Sequence, residues 1–409
     1  MKETLLVIFT AASLLVHPLG VAAQDKLCSI AAPAIAAASS IRGLKQKGSV
    51  PCLMHGKEEV KNYLLTTLET KIPKEKFKGE EELLKGLGFI PAEFDYKQGI
   101  VELYLSQLGG YYDPDKKHYV MAAWLPAAFQ TPIAVHELTH ALQDQYYDLG
   151  KMVHALDVPN DTLLARSALV EGDATAVMMD YSRRIAGQSS LREEKNVQGI
   201  MMQNVIGGAM VVGAAVPEPL QLMLLFPYTS GIRFAHKLIQ QGGYRAIDQA
   251  FKRPPQTTEE ILHPEKYISQ MKDEYRTVSS AEVLFDGATE SYHDVVGEFV
   301  TVLLLAHLTG DKLGAADAAA GWGGDRASIV SREDRRWVVW RSVWDSEKDC
   351  KEFFEMFTQG LAKRYGDAIR RASVLEPAAV DLPTIARSER EVLYIAPLEL
   401  AGSVKIAAK

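Results

Sequence analysis

The sequence predicts an α+β fold, predominantly helical, with an antiparallel hairpin ahead of a central helix and a small α/β unit at the C-terminus. Three patterns lead there. Apolar residues recur at helical spacing over long stretches, first Val60, Leu64, Leu65 and Leu68, then Leu83, Leu84 and Leu87. Aromatic and β-branched residues flank an Asp113-Pro114-Asp115 turn between Gly110 and Met121, which reads as a hairpin. Arg335–Trp344 alternates with the period of a strand.

The first residues read as an export signal. Lys2 precedes an apolar run from Leu5 to Val16, Pro18 and Gly20 break it, and Val21-Ala22-Ala23 supplies small residues for cleavage near Ala23. The run falls short of the ~20 residues that span a bilayer. The mature chain is therefore expected to be periplasmic or extracellular, with no transmembrane span. Asp25-Lys26-Leu27 before Cys28 lacks the small residues that precede a lipidated cysteine.

Residues 24–50 are rich in Ala and Ser and are expected to be loosely ordered near their start. Pro73 separates two helices between Gly56 and Leu87, and Ile100–Leu108 continues as a helix up to Gly109-Gly110. Past the hairpin, Thr131 is the expected N-cap of a helix to about Tyr147, with Pro132 at its first position. Asp161 is expected to cap a helix through Ile185. A very apolar helix over about Val197–Val216 stops at Pro217-Glu218-Pro219 and reads as buried. Leu220–Gln240, Tyr244–Phe251 and Ser291–Leu308 add further helices. Gly321-Trp322-Gly323-Gly324 reads as a turn, Ser346 as the cap of a helix to Tyr365, and Glu391–Ile395 as a last strand. The layout is a signal over 1–23, a helical segment over 24–95, a core over 96–310 and a strand–helix–strand unit over 311–409.

Composition narrows the classes. With 409 residues, 47% apolar and 24% charged, the chain is an ordinary folded protein with material for two or three structural units. Its 45 Lys+Arg against 52 Asp+Glu give a net charge of −7, the wrong sign for a nucleic-acid binder. Three cysteines are too few for a disulfide scaffold. Export implies an oxidising compartment. Cys28 and Cys52 are placed to pair across the N-terminal segment, with Cys350 left odd; the sequence leaves that pairing open.

The chemistry lies in Val135-His136-Glu137-Leu138-Thr139-His140-Ala141-Leu142-Gln143-Asp144. On a helix, His136 and His140 share one face, so two neutral imidazoles can reach one metal ion at ~2.0–2.1 Å. Glu137 stands about 100° further round, beside the ion, where a carboxylate can take a proton from an attacking water. Two histidines leave the ion short of ligands. Glu171, inside the apolar run Ala168–Thr175, is the best third ligand, because a cation offsets the cost of burying its charge. An ion pair with Arg166 or Arg183 is the structural alternative. The rival ligands are Asp144, Asp148, Asp157 and Asp161.

Asp144 shares the ligand face and is expected to orient an imidazole from outside the coordination sphere. Asp173 points away from Glu171, whereas Thr175 and Arg166 are better placed for contact with ligand or substrate. Peptide hydrolysis also needs a donor to the developing oxyanion, for which His263, Tyr267 and Tyr228 are the candidates. Glu298 is expected to pair with Arg326 as a buried structural ion pair, and Trp337, Trp340 and Trp344 to be packing.

His136-Glu137-x-x-His140 with a downstream Glu171 on a second helix resembles the gluzincin metallopeptidases, typified by thermolysin. More of the chain is similar to a group of exported bacterial metallopeptidases. The shared blocks are Gly110–Pro114, His136–Gln145, Leu169–Gly172, Ile261–Tyr267 and Gly321–Arg326, within about Lys57 to Asp345. The resemblance implies a zincin-like core over 96–310, zinc held by His136, His140 and Glu171, and Glu137 as general base. It also implies that the hairpin offers an edge strand to substrate backbone. Two features depart from thermolysin. Thirty residues separate His140 from Glu171, and Val170 stands where that archetype has Asn.

The expected function is an exported zinc-dependent peptidase acting on peptide or protein substrates. Two alternatives share its framework: a non-catalytic metal-containing binding protein, and a metal-dependent amidase acting on cell-envelope material.

Overall fold

The computed structural model describes residues 28–153, 155–197, 199, 216–269, 276–281, 287–372 and 381–401. The export signal over 1–23 lies outside them. Helix α1 (Ala31–Arg42) forms within the Ala- and Ser-rich segment, and residues 24–27, at the start expected to be loosely ordered, lie outside the described residues. Ala34, Ile35, Ala38 and Ile41 bury one face, and Gly43 at φ 77 ends the helix. A disulfide joins Cys28 to Cys52 and so ties the entry of α1 to strand β1 (Cys52–His55), while Cys350 is buried and free. Pro73 divides α2 (Lys57–Lys71) from α3 (Lys74–Leu87), and Asp95 caps α4 (Tyr96–Gln107) by accepting from Gln98 N.

The expected hairpin is β2 (Gly110–Asp113) and β3 (His118–Ala122). Strand β1, which the sequence did not reveal, adds to it in parallel, giving the order β1-β3-β2. Helix α5 (Ala127–Tyr147) begins earlier than Thr131, so Pro132 lies inside it. Gln130 Nε2 donates to Leu125 O at 3.0 Å and holds this earlier first turn. After short α6 (Leu149–Val153) comes α7 (Asn160–Ile185). Asp161 does not cap it; its carboxylate accepts from Thr258 N at 3.1 Å and Thr258 Oγ1 at 2.6 Å. The apolar helix expected over Val197–Val216 falls almost entirely outside the described residues. Then follow α8 (Glu218–Gly242), α9 (Tyr244–Lys252), α10 (Thr258–Leu262) and α11 (Pro264–Ser269).

Ser291–Leu308 is not one helix. Strand β4 (Thr289–Asp294) precedes α12 (Gly297–Thr309), and Gly297 at φ 77 makes the corner. A Cβ at Gly297 would lie 1.8 Å from Asp161 Oδ1, so both space and backbone demand glycine. Beyond α13 (Lys312–Ala319), the turn expected at Gly321–Gly324 is the start of β5 (Trp322–Arg332), with a bulge between Trp322 and Gly324. Strand β6 (Arg335–Trp344) and helix α14 (Glu347–Tyr365, capped by Ser346) follow as expected. Next are β7 (Arg370–Ala372), β8 (Thr384–Arg387), β9 (Glu391–Pro397) and α15 (Leu398–Ala401). The six-stranded sheet has the order β4-β5-β6-β9-β8-β7 and is antiparallel except between β7 and β8. Because β4 belongs to it, this unit starts before residue 311.

The sheet buries both faces. Trp340 and Trp344 pack on Phe353 of α14, whereas Trp337 packs with Val330, Val339 and Ile395 on the other side. The tryptophans are packing residues. The expected Glu298–Arg326 pair does not form. Glu298 binds His263 at 2.8 Å, and Arg326 pairs with Glu290, which the β4–β5 pairing brings alongside. The protein is mixed α+β and predominantly helical. Among the described residues no helix is long and apolar enough to cross a membrane.

Candidate metal centre

Helix α5 presents its histidines because its other face is committed to the core. Ala134, Val135, Leu138, Ala141 and Leu142 pack with Ile35 and Ala38 of α1 and with Tyr112, Tyr119 and Met121 of the hairpin. His136 and His140 are left facing α7, and Glu171 projects from α7 toward them. His136 Nε2 and His140 Nε2 are 3.1 Å apart, and Glu171 Oε2 lies 3.0 Å from the first and 3.2 Å from the second. Three ligands placed tetrahedrally at ~2.0–2.1 Å from one zinc ion would be about 3.3 Å apart. The spacing and the donor set therefore fit a divalent cation, and among the described residues this is the one such group.

Electrostatics agree. Burial alone would raise the Glu171 carboxyl, yet His140 and His136 hold it well below the usual carboxylate range. Burial opposes charge on His140, but Glu171 pushes it up to about 9. Without an ion, a proton supplies positive charge where three ligand atoms converge. Glu137, one step round α5, is raised by burial, an effect that His136 and His140 partly offset. Its Oε2 accepts from Tyr112 N at 3.1 Å. Strand β2 is the sheet edge, so this is an outward-facing backbone donor, and it fixes Glu137 beside the triad.

Tyr228 arrives from α8. Glycines let α7 and α8 touch backbone to backbone: a Cβ on Gly172 would lie 2.2 Å from Gly231 O. The Tyr228 ring centroid is 6.1 Å from that of His136. Burial, with Glu171 and Glu137 nearby, keeps its hydroxyl protonated well above the usual phenol range. A mostly apolar cavity of about 220 Å³ has Glu171 and Tyr228 in its wall together with Leu83, Leu103, Met223 and Val300.

The other expected residues lie elsewhere. Tyr267 OH donates to Arg253 O at 2.6 Å under the Arg253 guanidinium, and His263 is bound to Glu298. Asp144 does not orient an imidazole. It accepts from Tyr112 OH at 2.7 Å, Lys117 Nζ at 2.6 Å and Leu149 N at 3.1 Å, because its side chain points back to the hairpin. Gln143 takes that role, with His140 Nδ1 and Gln143 Oε1 2.8 Å apart. Nothing in the sequence marked Gln143, whose position, three residues past His140, is the only local signal. Thr175 is buried and its hydroxyl has no hydrogen-bond partner among the described residues. Asp148 pairs with Lys151, and Asp161 with Thr258, so neither joins the histidines. Arg166 reaches Gln256 and Arg183 reaches Glu194, so neither pairs with Glu171.

Residues 282–398 match a family profile described as a domain of unknown function, DUF8575. That stretch takes in the six-stranded sheet unit and leaves out His136, His140 and Glu171. No curated protein and no solved structure matches the chain.

Proposed function

We propose that the protein is an exported zinc-dependent peptidase. The observation that carries this is the convergence of His136 Nε2, His140 Nε2 and Glu171 Oε2 within 3.0–3.2 Å of one another, beside the partly buried carboxylate of Glu137. Zinc, when bound there, supplies Lewis-acid polarisation of a scissile carbonyl and lowers the pKa of water. Glu137, held through Oε2 by Tyr112 N, takes the proton of the attacking water and returns it to the leaving amine. Tyr228, kept protonated, donates to the developing oxyanion. The apolar cavity takes the side chain beside the scissile bond. At about 220 Å³ it exceeds the ~150 Å³ that holds a benzene ring, which favours bulky apolar residues. The Cys28–Cys52 disulfide supports export to an oxidising compartment.

Metal analysis of the purified mature chain tests the centre. One equivalent of zinc is expected, lost in His140→Ala. Glu137→Gln should keep the zinc and lose about 10²–10⁴ in peptide hydrolysis. Zinc retention with hydrolysis at the wild-type rate would end the mechanism. Zinc without any hydrolysis, in wild type and variant alike, would favour the binding-protein alternative.

A further inference from the structure

Helix α1, outside the ligand-bearing helices, reaches the centre through three buried side chains. Gln143 is fully buried. Its Nε2 donates to Val170 O at 3.1 Å and to Asp173 Oδ2 at 2.9 Å, and both partners can only accept. The amide is thereby oriented, and Oε1 is the atom 2.8 Å from His140 Nδ1. An amide oxygen cannot donate, so Nδ1 carries a proton, and Nε2 is the nitrogen left to ligate when an ion replaces the proton between it and Glu171. Asp173 is itself wholly buried and is ion-paired with Arg42 of α1. Arg42 Nε donates to Asp173 Oδ2 at 2.8 Å and stands 2.8 Å from Oδ1. Arg42 Nη1 lies 2.8 Å from Asp248 Oδ1, and the guanidinium sits 5.3 Å from the Tyr244 ring centroid.

We propose that Asp173 and Arg42 are positioning residues which, through Gln143, dictate which ring nitrogen His140 offers to the metal. The inference rests on the metal reading above. Its logic is a chain of donors and acceptors. Arg42 demands an acceptor, which fixes Asp173. Asp173 demands a donor, which turns the Gln143 amide. The Gln143 oxygen then demands a proton on Nδ1. His136 has no equivalent, since its Nδ1 has no partner among the described residues.

Asp173→Leu removes the acceptor. The Gln143 amide is then free to turn over, and its NH₂ can face His140 Nδ1, which favours the tautomer that cannot ligate through Nε2. Zinc affinity, read by competition with a chromophoric chelator, should fall about 10–100-fold, the usual cost of losing an outer partner of a ligand histidine. NMR of the cadmium-substituted proteins reads which ring nitrogen of His140 carries the proton. Wild type should show it on Nδ1, and Asp173→Leu should lose that signature. Asp173→Asn is the rescue: Arg42 Nε and Gln143 Nε2 both donate to Asp173 Oδ2, so one amide oxygen in that place answers both. Its affinity should lie within a few-fold of wild type, with the proton back on Nδ1. A merely structural role would lower unfolding stability without moving the tautomer. Wild-type affinity and an unchanged Nδ1 proton in Asp173→Leu, or no recovery in Asp173→Asn, overturns this inference and leaves the zinc site standing. A wild-type chain that takes up no zinc overturns both.

Discussion

Adding one methyl group at Gly231 tests how the centre is assembled. Helices α7 and α8 meet there with no side chains between them. A Cβ on Gly231 would lie 2.2 Å from Ala168 O, and 3.0 and 3.1 Å from Ala168 C and Cα. A carbon beside a carbonyl oxygen needs about 3.3 Å, so Gly231→Ala must part the helices by about 1 Å. Backbone on both sides leaves no flexible group to give way. Overpacking of this kind costs about 1–3 kcal/mol. Coordination tolerates about ±0.2 Å. If α7 yields, Glu171 leaves the histidines. If α8 yields, Tyr228 withdraws. Either way, a misplacement of about 1 Å should lower peptide hydrolysis about 10²-fold. Urea unfolding measures the first effect and kcat/KM the second, while zinc titration tells which helix moved. Gly48→Ala is the control: the nearest atom to its added methyl is Gln145 Nε2 at 4.0 Å, and its stability should change by less than about 0.5 kcal/mol. A Gly231→Ala protein with the unfolding midpoint and the hydrolysis rate of wild type would refute the close-packing account.

Met223→Trp narrows the apolar cavity; kcat/KM should fall at least tenfold for peptides carrying Phe beside the scissile bond and change little for those carrying Ala, and an equal effect on both would detach the cavity from specificity. Asp325, buried against Val296 N, Gly297 N and Trp322 Nε1, has its carboxyl pushed up by burial to about 6. A carboxyl raised in the folded state stabilises the fold fully below its unfolded value of about 4, and that stability drains away as pH climbs to about 6. Urea midpoints between pH 4 and 6 should therefore fall for wild type and slope less in Asp325→Asn, by an amount of order 2–3 kcal/mol across the window; parallel profiles would exclude Asp325 as the titrating group.

Local features were legible because they depend on neighbours in the chain. The divided helices at Pro73, the hairpin around Pro114, the Ser346 cap and the tryptophan-bearing strand β6 all declare themselves within a few residues. Elements that need a distant partner did not. Strand β1 is four residues long and exists by pairing with β3. Strand β4 carries a Ser-Tyr-His-Asp run that looked like the first turn of the following helix until β5 claimed its backbone. Gly323 and Gly324 suggested a turn, but a bulge opposite β6 absorbs them.

The sequence by itself determined that His136 and His140 share one face, because four residues are about one helical turn, and that Glu137 stands beside them. It also singled out Glu171 as a buried charge in need of a cation. Only the tertiary structure decided that this carboxylate reaches both imidazoles, that Gln143 rather than Asp144 holds His140, and that Arg42 reaches the centre from α1. Spacing within a helix is set by backbone geometry. Which helices touch is set by packing, here by α5 resting on the hairpin and by Gly172 and Gly231 letting α7 and α8 meet, and no local pattern encodes that distance.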